Sequence, residues 1–200
     1  MFENVKRISI IGGPGTGKTT IARIMAKMLF DLGLIRENKI IEVERKDLVA
    51  AYIGQTAIKT AEVIEKAKGG VLFIDEAYSL APKTSSDYGS EAVSTIIKSM
   101  EDFKDELVVI FAGYRKEMQA FLDSNSGITS RIGYTLEFDD YTTEELKDIF
   151  VGMVKKNGFE VTDEALDYLE EIIEQNRYVK NFGNARFIRN VYEKSIIKHA

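Results

Sequence analysis

One short run limits the folds open to this chain more than any other feature: Gly12-Gly13-Pro14-Gly15-Thr16-Gly17-Lys18-Thr19. It satisfies the phosphate-binding pattern G-x-x-x-x-G-K-[ST] at every fixed position. The apolar residues 8–11 in front of it predict a buried parallel strand. Behind it, a helix is predicted because apolar side chains recur at helical spacing, with one apolar face made of Ile21, Ile24, Met25, Met28 and Leu29. A strand, the complete motif and a helix in this order favour a P-loop over an ordinary glycine-rich turn.

The residue types of this run explain how it would hold a nucleotide. Glycines let the backbone approach an anion closely, and N–H groups at the start of a helix direct partial positive charge at phosphates. Lys18 is predicted to reach the β and γ phosphates, and the Thr19 hydroxyl to coordinate Mg²⁺. ATP and Mg²⁺ are the predicted cofactors. The predicted nucleotide-binding residues in and directly after this run are Gly13, Pro14, Gly15, Thr16, Gly17, Lys18, Thr19 and Thr20.

An acidic pair, Asp75-Glu76, follows the wholly apolar residues 71–74. Open α/β sheets place their ligands at the carboxyl ends of such strands. Asp75 is predicted to hold Mg²⁺ through water, and Glu76 to polarise the water that attacks the γ phosphate. An acidic pair in this position is also common as a solvated helix cap, but the P-loop upstream favours the catalytic interpretation.

Strand and helix patterns alternate over the first two thirds of the chain. Apolar strands are predicted at residues 8–11, 39–45, 71–74, 107–112 and 134–138, with amphipathic helices between them. This alternation predicts an α/β fold, a parallel sheet covered by helices on both faces. From residue 139 onward only helices are predicted, the first one beginning at a capping box of Thr142 and Glu145. We therefore predict an α/β nucleotide-binding domain over residues 1–138 and a small all-helical domain over 139–200.

The composition argues against several classes of function. A net charge of −5 gives no electrostatic reason to expect nucleic acid as a partner. The chain has no cysteine and a single histidine, His199, which argues against thiol, zinc and histidine chemistry. No apolar stretch approaches the length of a membrane span and no signal peptide is recognisable, so no membrane partner and a cytoplasmic location are predicted.

The two motifs and the helical tail resemble the AAA+ ATPases. The resemblance extends over nearly the whole chain. In its detailed motifs the chain resembles one subgroup, which contains the red-type Rubisco activases and the stage V sporulation protein K type ATPases. The runs that carry it are Tyr52-Ile53-Gly54-Gln55-Thr56-Ala57, Gly69-Gly70-Val71-Leu72-Phe73-Ile74-Asp75-Glu76-Ala77-Tyr78, Asp87-Tyr88-Gly89 and Ala112-Gly113-Tyr114. It implies the P-loop NTPase fold of the AAA+ type, an α/β/α sandwich followed by a helical lid.

The resemblance also implies roles for two arginines. Arg131 occupies the position of the arginine finger, which reaches the γ phosphate held by a neighbouring subunit; a surface arginine in a loop is the alternative. Arg186, in the run Gly183-Asn184-Ala185-Arg186, matches the sensor-2 arginine that contacts the phosphates from the lid, although it could merely solubilise its helix. The implied catalytic residues are Lys18, Glu76, Arg131 and Arg186.

Tyr52-Ile53-Gly54 occupies the position of the family's aromatic pore loop, which grips a polypeptide in the centre of a ring. The alternative for Tyr52 is packing in the core. Two departures from the family pattern stand out. Tyr114 follows the fourth strand, where AAA+ proteins commonly carry a polar sensor-1 residue. Only eleven residues precede Gly12, so we expect a module of a longer protein, without the helical segment that closes over the adenine.

These observations predict a Mg²⁺-dependent ATPase that forms a ring, expected to be a hexamer, and remodels a protein substrate. One alternative is an assembly or regulatory module that binds ATP with little turnover, which steady-state hydrolysis would distinguish. The other is a motor or loader acting on nucleic acid, for which DNA or RNA should stimulate hydrolysis. The net negative charge of the chain argues against a motor or loader that acts on nucleic acid.

Overall fold

The computed structural model describes residues 6–52, 54–82 and 87–199, with only the backbone of His199. These residues fall into two compact units. The first, here called the sheet unit, contains the residues up to Ile11 together with Lys18–Glu137. The second, the helical unit, contains Gly12–Gly17 and the residues from Phe138 onward.

Within the described residues, five strands form one sheet in the order β2-β3-β4-β1-β5. Their bounds are β1 Arg7–Gly12, β2 Ile40–Val43, β3 Val71–Ile74, β4 Val108–Gly113 and β5 Tyr134–Phe138. β3 and β1 both pair in parallel with β4, with Ile74 opposite Phe111 and Ile11 opposite Gly113. Parallel neighbours need crossover connections, which explains why helices alternate with the strands. The predicted α/β fold class is confirmed.

The central strands are enclosed on both faces, since every residue of β3 and β4 is buried. Two helices, α3 (Thr56–Ala67) and α4 (Gly89–Asp102), contribute Ile64, Ile96 and Met100 to the main core cluster. These side chains share that cluster with Leu72 of β3 and Phe111 of β4. Burial on both faces requires continuous apolar strands, which is the pattern seen in the sequence.

Several short elements escaped the sequence patterns: α2 (Arg45–Leu48), a 3₁₀ turn (Ala77–Leu80), α5 (Arg115–Asp123) and α6 (Ser126–Thr129). The strand predicted for residues 39–45 ends at Val43 because Glu44 is the N-cap of α2. The Glu44 N–H donates to Asp47 Oδ2 at 2.9 Å, in a capping box. This local capping ends the strand, and Glu44 and Arg45 belong to the start of α2 instead.

The apolar face predicted for the first helix, α1 (Lys18–Asp31), is wrong in part. Ile24 and Met28 are exposed, and the buried residues behind the loop are Ala22, Ala26 and Leu29. α1 contacts β4, and alanines allow a helix to approach a sheet closely. Counting large apolar side chains therefore selected a face rotated away from the buried one.

The helical unit contains α7 (Thr143–Lys156), α8 (Asp163–Asn176) and α9 (Asn184–His199). The predicted capping box is present, because Thr142 Oγ1 accepts from the Glu145 N–H and Glu145 Oε2 accepts from the Thr142 N–H. The unit has its own apolar core, made by Leu146, Phe150, Val154, Leu169, Ile173, Phe182 and Ile188. Within the described ranges, no helix combines the length and apolar character needed to cross a membrane.

Candidate functional site

The strand order brings three chemically important segments to one edge of the sheet. β4 lies between β3 and β1, and all three run in the same direction. Asp75-Glu76 follows β3, Tyr114 follows β4, and β1 leads through the glycine-rich loop into α1. Carboxyl ends of parallel strands are where α/β proteins bind ligands.

Lys18 begins α1 and lies beside an aromatic ring. Lys18 is only 9% exposed, and its Nζ lies 5.2 Å from the ring centroid of Tyr114. An ammonium at this distance from an aromatic face is attracted by the ring quadrupole. Tyr114, which departs from the family's sensor-1 pattern, therefore contacts the lysine predicted to bind phosphate.

A second tyrosine packs on Tyr114. The ring centroids of Tyr78 and Tyr114 are 5.8 Å apart, with an interplanar angle of 33°. Gly113 makes room for this pair, because a Cβ at that position would lie 2.8 Å from Cδ1 of Tyr78 and 2.7 Å from Cγ of Met118. A side chain on residue 113 would displace the aromatic pair.

Tyr78 in turn contacts Glu76. Burial raises the pKa of Tyr78 above its ordinary value, and the Glu76 carboxylate raises it further through its charge and through a side-chain hydrogen bond. The hydroxyl consequently stays protonated and donates to Glu76. Lys18, Tyr114, Tyr78 and Glu76 thus form a continuous row. Sequence reasoning gave Tyr78 no role, although Tyr78 ends one of the runs that carry the family resemblance.

Glu76 has a left-handed backbone, with φ 48° and ψ 44°. Its N–H donates to Asp75 Oδ1 at 2.9 Å, and its side chain is exposed. Non-glycine residues in this region carry strain, and such strain concentrates at functional sites. The conformation turns the chain sharply after β3 and leaves the carboxylate accessible to water.

The predicted metal ligands Thr19 and Asp75 line one pocket of about 240 Å³, together with Glu42, Glu44 and Asp47. Among the residues that the structure describes, no group of three or more His, Cys, Asp or Glu side chains is arranged to hold a metal ion. Mg²⁺ at nucleotide sites is typically bound through one or two carboxylates and the substrate's phosphates. A hydroxyl and a carboxylate beside one pocket fit that kind of site.

The glycine-rich loop itself has positive φ at two positions, 69° at Gly15 and 93° at Gly17. Thr16 is buried and its Oγ1 donates to the Gly13 carbonyl at 2.9 Å. Pro14 is half-buried in the same loop. Thr20, also predicted to bind nucleotide, lies exposed in the first turn of α1.

Arg186 lies in the first turn of α9, close to this loop. A Cβ on Gly15 would come within 3.0 Å of the Arg186 nitrogen and 2.1 Å of the Gly183 carbonyl oxygen, so only glycine fits there. The Arg186 side chain is exposed. Its contact with phosphates stays a prediction, but its backbone adjoins the loop as the sensor-2 role requires.

Arg131 follows α6 and is held by its own unit. Nη1 donates to the Gly127 carbonyl at 3.0 Å, and Nε lies 3.5 Å from Oε2 of Glu101. The side chain is 30% exposed. The role of Arg131 as a finger stays a prediction, and it requires the side chain to exchange these contacts for a neighbour's nucleotide.

Tyr52 is 70% exposed, which rules out the alternative that it packs in the core. Gly54 follows in a turn with φ 77°, while Ile53 lies outside the described residues. An exposed aromatic side chain two residues before a glycine suits contact with a polypeptide. The pore-loop assignment stays a prediction.

Two comparisons of sequence identify related proteins. The profile of the ATPase family associated with various cellular activities (AAA) matches residues 8–139, and that of the AAA lid domain matches residues 142–200. The chain is 45% identical over 189 residues to stage V sporulation protein K of Bacillus subtilis (strain 168), covering 92% of this chain and 58% of that protein. It is 44% identical over 194 residues to the chloroplastic ribulose bisphosphate carboxylase/oxygenase activase of Cyanidioschyzon merolae (strain NIES-3377 / 10D), covering 96% and 66% respectively. The chain thus spans less than two thirds of the length of these two relatives.

Among solved structures, the fold is similar to the crystal structure of the FIGL-1 AAA domain in complex with ADP. The TM-score is 0.66 at 20% sequence identity, and the match covers 94% of this chain and 59% of that one. At this identity the likeness establishes the fold alone.

Proposed function

The chain belongs to the ATPase family associated with various cellular activities (AAA), and from this premise we propose that it hydrolyses ATP with Mg²⁺ to drive the remodelling of a protein. Membership confirms the resemblance read from the sequence, including the subgroup of red-type Rubisco activases and stage V sporulation protein K type ATPases. It also confirms the predicted enzyme class, an ATPase.

The single observation that supports the proposal best is the row from Lys18 to Glu76 at the carboxyl edge of the sheet. Phosphoryl transfer needs positioning and charge stabilisation more than covalent chemistry. Lys18 supplies a positive charge for the β and γ phosphates. Thr19 would coordinate Mg²⁺ directly and Asp75 would hold it through water, and the bound ion would neutralise phosphate charge.

Glu76 is proposed to be the general base. Its carboxylate accepts a proton from the water that attacks the γ phosphorus, while the bond from that phosphorus to the β-phosphate bridging oxygen breaks. The Tyr78 hydroxyl, kept protonated by burial and by Glu76 itself, orients the carboxylate through its hydrogen bond. The exposed position of Glu76 admits the water.

We also propose that copies of the chain assemble into a ring, expected to be hexameric, in which Arg131 acts on the neighbour's nucleotide. Tyr52 and Gly54 would then contact the substrate polypeptide. Support comes from the exposure of Tyr52 and from family membership. The functional division into residues 1–138 and 139–200, and the cytoplasmic location, stay predictions.

Two substitutions separate nucleotide binding from chemistry. Lys18→Ala should abolish ATP binding, because it removes the cation from a site that holds several negative charges. Glu76→Gln should bind ATP like the wild type and lose turnover by about 10²-fold or more, the size of a general-base contribution.

ATP titration and steady-state phosphate release measure the two effects. Lys27→Ala, an exposed lysine of the same helix, and Glu62→Gln on α3 serve as matched controls. A Glu76→Gln protein that hydrolyses ATP at the wild-type rate would contradict the assignment of the base.

The substrate is the second half of the proposal. Since one relative bears the name of an activase of ribulose bisphosphate carboxylase/oxygenase, a folded enzyme is the class of substrate we propose. Glu76→Gln protein loaded with ATP should retain such a substrate in a pull-down. Equal recovery with Lys18→Ala, which cannot load ATP, would argue against ATP-dependent engagement.

A further inference from the structure

Three consecutive carbonyl groups of the phosphate loop accept hydrogen bonds from other residues of the helical unit. Asn184 Nδ2 donates to the Pro14 oxygen at 3.1 Å. The Ala185 N–H donates to the Gly15 oxygen at 3.3 Å, and Tyr141 Oη donates to the Thr16 oxygen at 3.2 Å. The loop is therefore held from the side of its carbonyl oxygens.

The rigid peptide plane links this observation to phosphate binding. In a trans peptide the carbonyl of one residue and the N–H of the next point in opposite directions. Fixing the carbonyls of Pro14, Gly15 and Thr16 therefore fixes the N–H groups of Gly15, Thr16 and Gly17, and directs them away from the donors. Successive N–H groups turned to one side form the concave site that binds an anion.

Asn184 is the residue best suited to this task. It is fully buried and has φ 46°, a conformation that asparagine tolerates better than most residues. Its Oδ1 accepts from the Tyr141 N–H at 3.0 Å. Its amide nitrogen carries two hydrogens, which face the Pro14 oxygen, Asp140 Oδ1 at 2.7 Å and the Phe182 oxygen at 3.3 Å. Glycine would accept the backbone conformation but could not donate.

We propose that Asn184 and Tyr141 are positioning residues that orient the phosphate loop for nucleotide binding. This rests on the proposed function, in which the loop holds ATP, and it adds that residues outside the P-loop motif set the geometry of the loop. Both side chains contact the backbone of the loop. Substituting them should therefore lower the affinity for nucleotide, with little change in the rate of the chemical step.

Tyr141→Phe removes one hydroxyl while keeping the ring. ADP binding measured by calorimetry should weaken about three- to tenfold, the effect of one neutral hydrogen bond. At saturating ATP, kcat should stay close to wild type, while KM rises. Tyr168→Phe, which removes a hydroxyl from an exposed tyrosine of the same unit, should change neither parameter.

Asn184→Gly keeps the backbone conformation and removes every side-chain bond, so it should weaken ADP binding more than Tyr141→Phe does. Asn184→Asp keeps the size but sets a carboxylate against Asp140 and removes the donor to Pro14, and we expect the largest loss there. The thermal midpoint without nucleotide reveals any variant that fails to fold, and Tyr141→Phe then decides the question alone.

Hydrogen exchange of the amides of Gly15, Thr16 and Gly17 without nucleotide provides an independent readout. These amides should exchange faster in Tyr141→Phe and Asn184→Gly than in wild type. If wild-type protein binds ADP and both variants bind it equally well with unchanged exchange, the positioning role is refuted. If wild-type protein binds no ADP, the proposed function fails, while faster exchange in the variants would still support the control of loop geometry.

Discussion

The left-handed backbone of Glu76 predicts that this proposed general base is held at a cost in stability. A non-glycine residue in this conformation is disfavoured by roughly 1–2 kcal/mol. Glu76→Gly should release that strain but lose about 0.4–1 kcal/mol through the greater freedom of glycine in the unfolded chain. Loss of the hydrogen bond between Glu76 and Tyr78 would cost a further 0.5–1.5 kcal/mol, approximately.

A Tyr78→Phe background removes this last contribution, because the hydroxyl is already gone. In that background Glu76→Gly should raise the free energy of unfolding by up to about 1.6 kcal/mol, and each kcal/mol corresponds to roughly 2–4 °C in the midpoint for a chain of this size. Glu76→Asn should be stabilising too, because asparagine tolerates the left-handed region. Glu76→Gln, whose backbone preference matches glutamate, should leave stability unchanged.

Urea and thermal unfolding of nucleotide-free protein measure these differences, with ATP turnover followed in parallel. All three substitutions should lower the hydrolysis rate by about 10²-fold or more, so that the gain in stability with glycine or asparagine accompanies a loss of function. If glycine and asparagine are no more stable than glutamine in the Tyr78→Phe background, no strain is stored at Glu76.

Substitutions at three further positions test the other assignments. Tyr114→Phe keeps the ring beside Lys18 and should bind ATP as wild type does. Tyr114→Leu should bind ATP about 2- to 30-fold more weakly, which is the range of a cation–π contact. Equal ATP affinities for the two variants would show that the ring is dispensable. Arg131→Ala should bind ATP but hydrolyse it about 10³-fold more slowly. Mixing this variant with Lys18→Ala should restore part of the phosphate release. If rings are shown to contain both variants and phosphate release does not recover, Arg131 does not act on the neighbour's nucleotide. Tyr52→Ala should leave the thermal midpoint within about 2 °C of wild type, because the side chain is exposed. The same substitution should uncouple ATP hydrolysis from substrate remodelling. A drop of many degrees in the midpoint would contradict the pore-loop assignment.

Features that depend only on residues adjacent in the chain could be predicted from the amino-acid sequence. The phosphate loop, the acidic pair after β3 and the capping box at Thr142 are each contained in a few consecutive positions, so spacing and residue type identify them. The alternation of apolar strands with amphipathic helices likewise sufficed for the parallel sheet, because burial on both faces requires continuous apolar strands. Short elements such as α2 were missed because four residues do not establish a period.

The residues that contact the phosphate loop from distant parts of the chain became visible only in the folded structure. Tyr141 reaches Thr16 across 125 positions, and Asn184 reaches Pro14 across 170, so no local pattern relates them. The buried face of α1 was likewise decided by the sheet, which accepts the small Ala22 and Ala26 and leaves Ile24 in solvent. Residue types and spacing define the chemistry that a segment can perform, but packing between distant segments decides which side chains hold it in place.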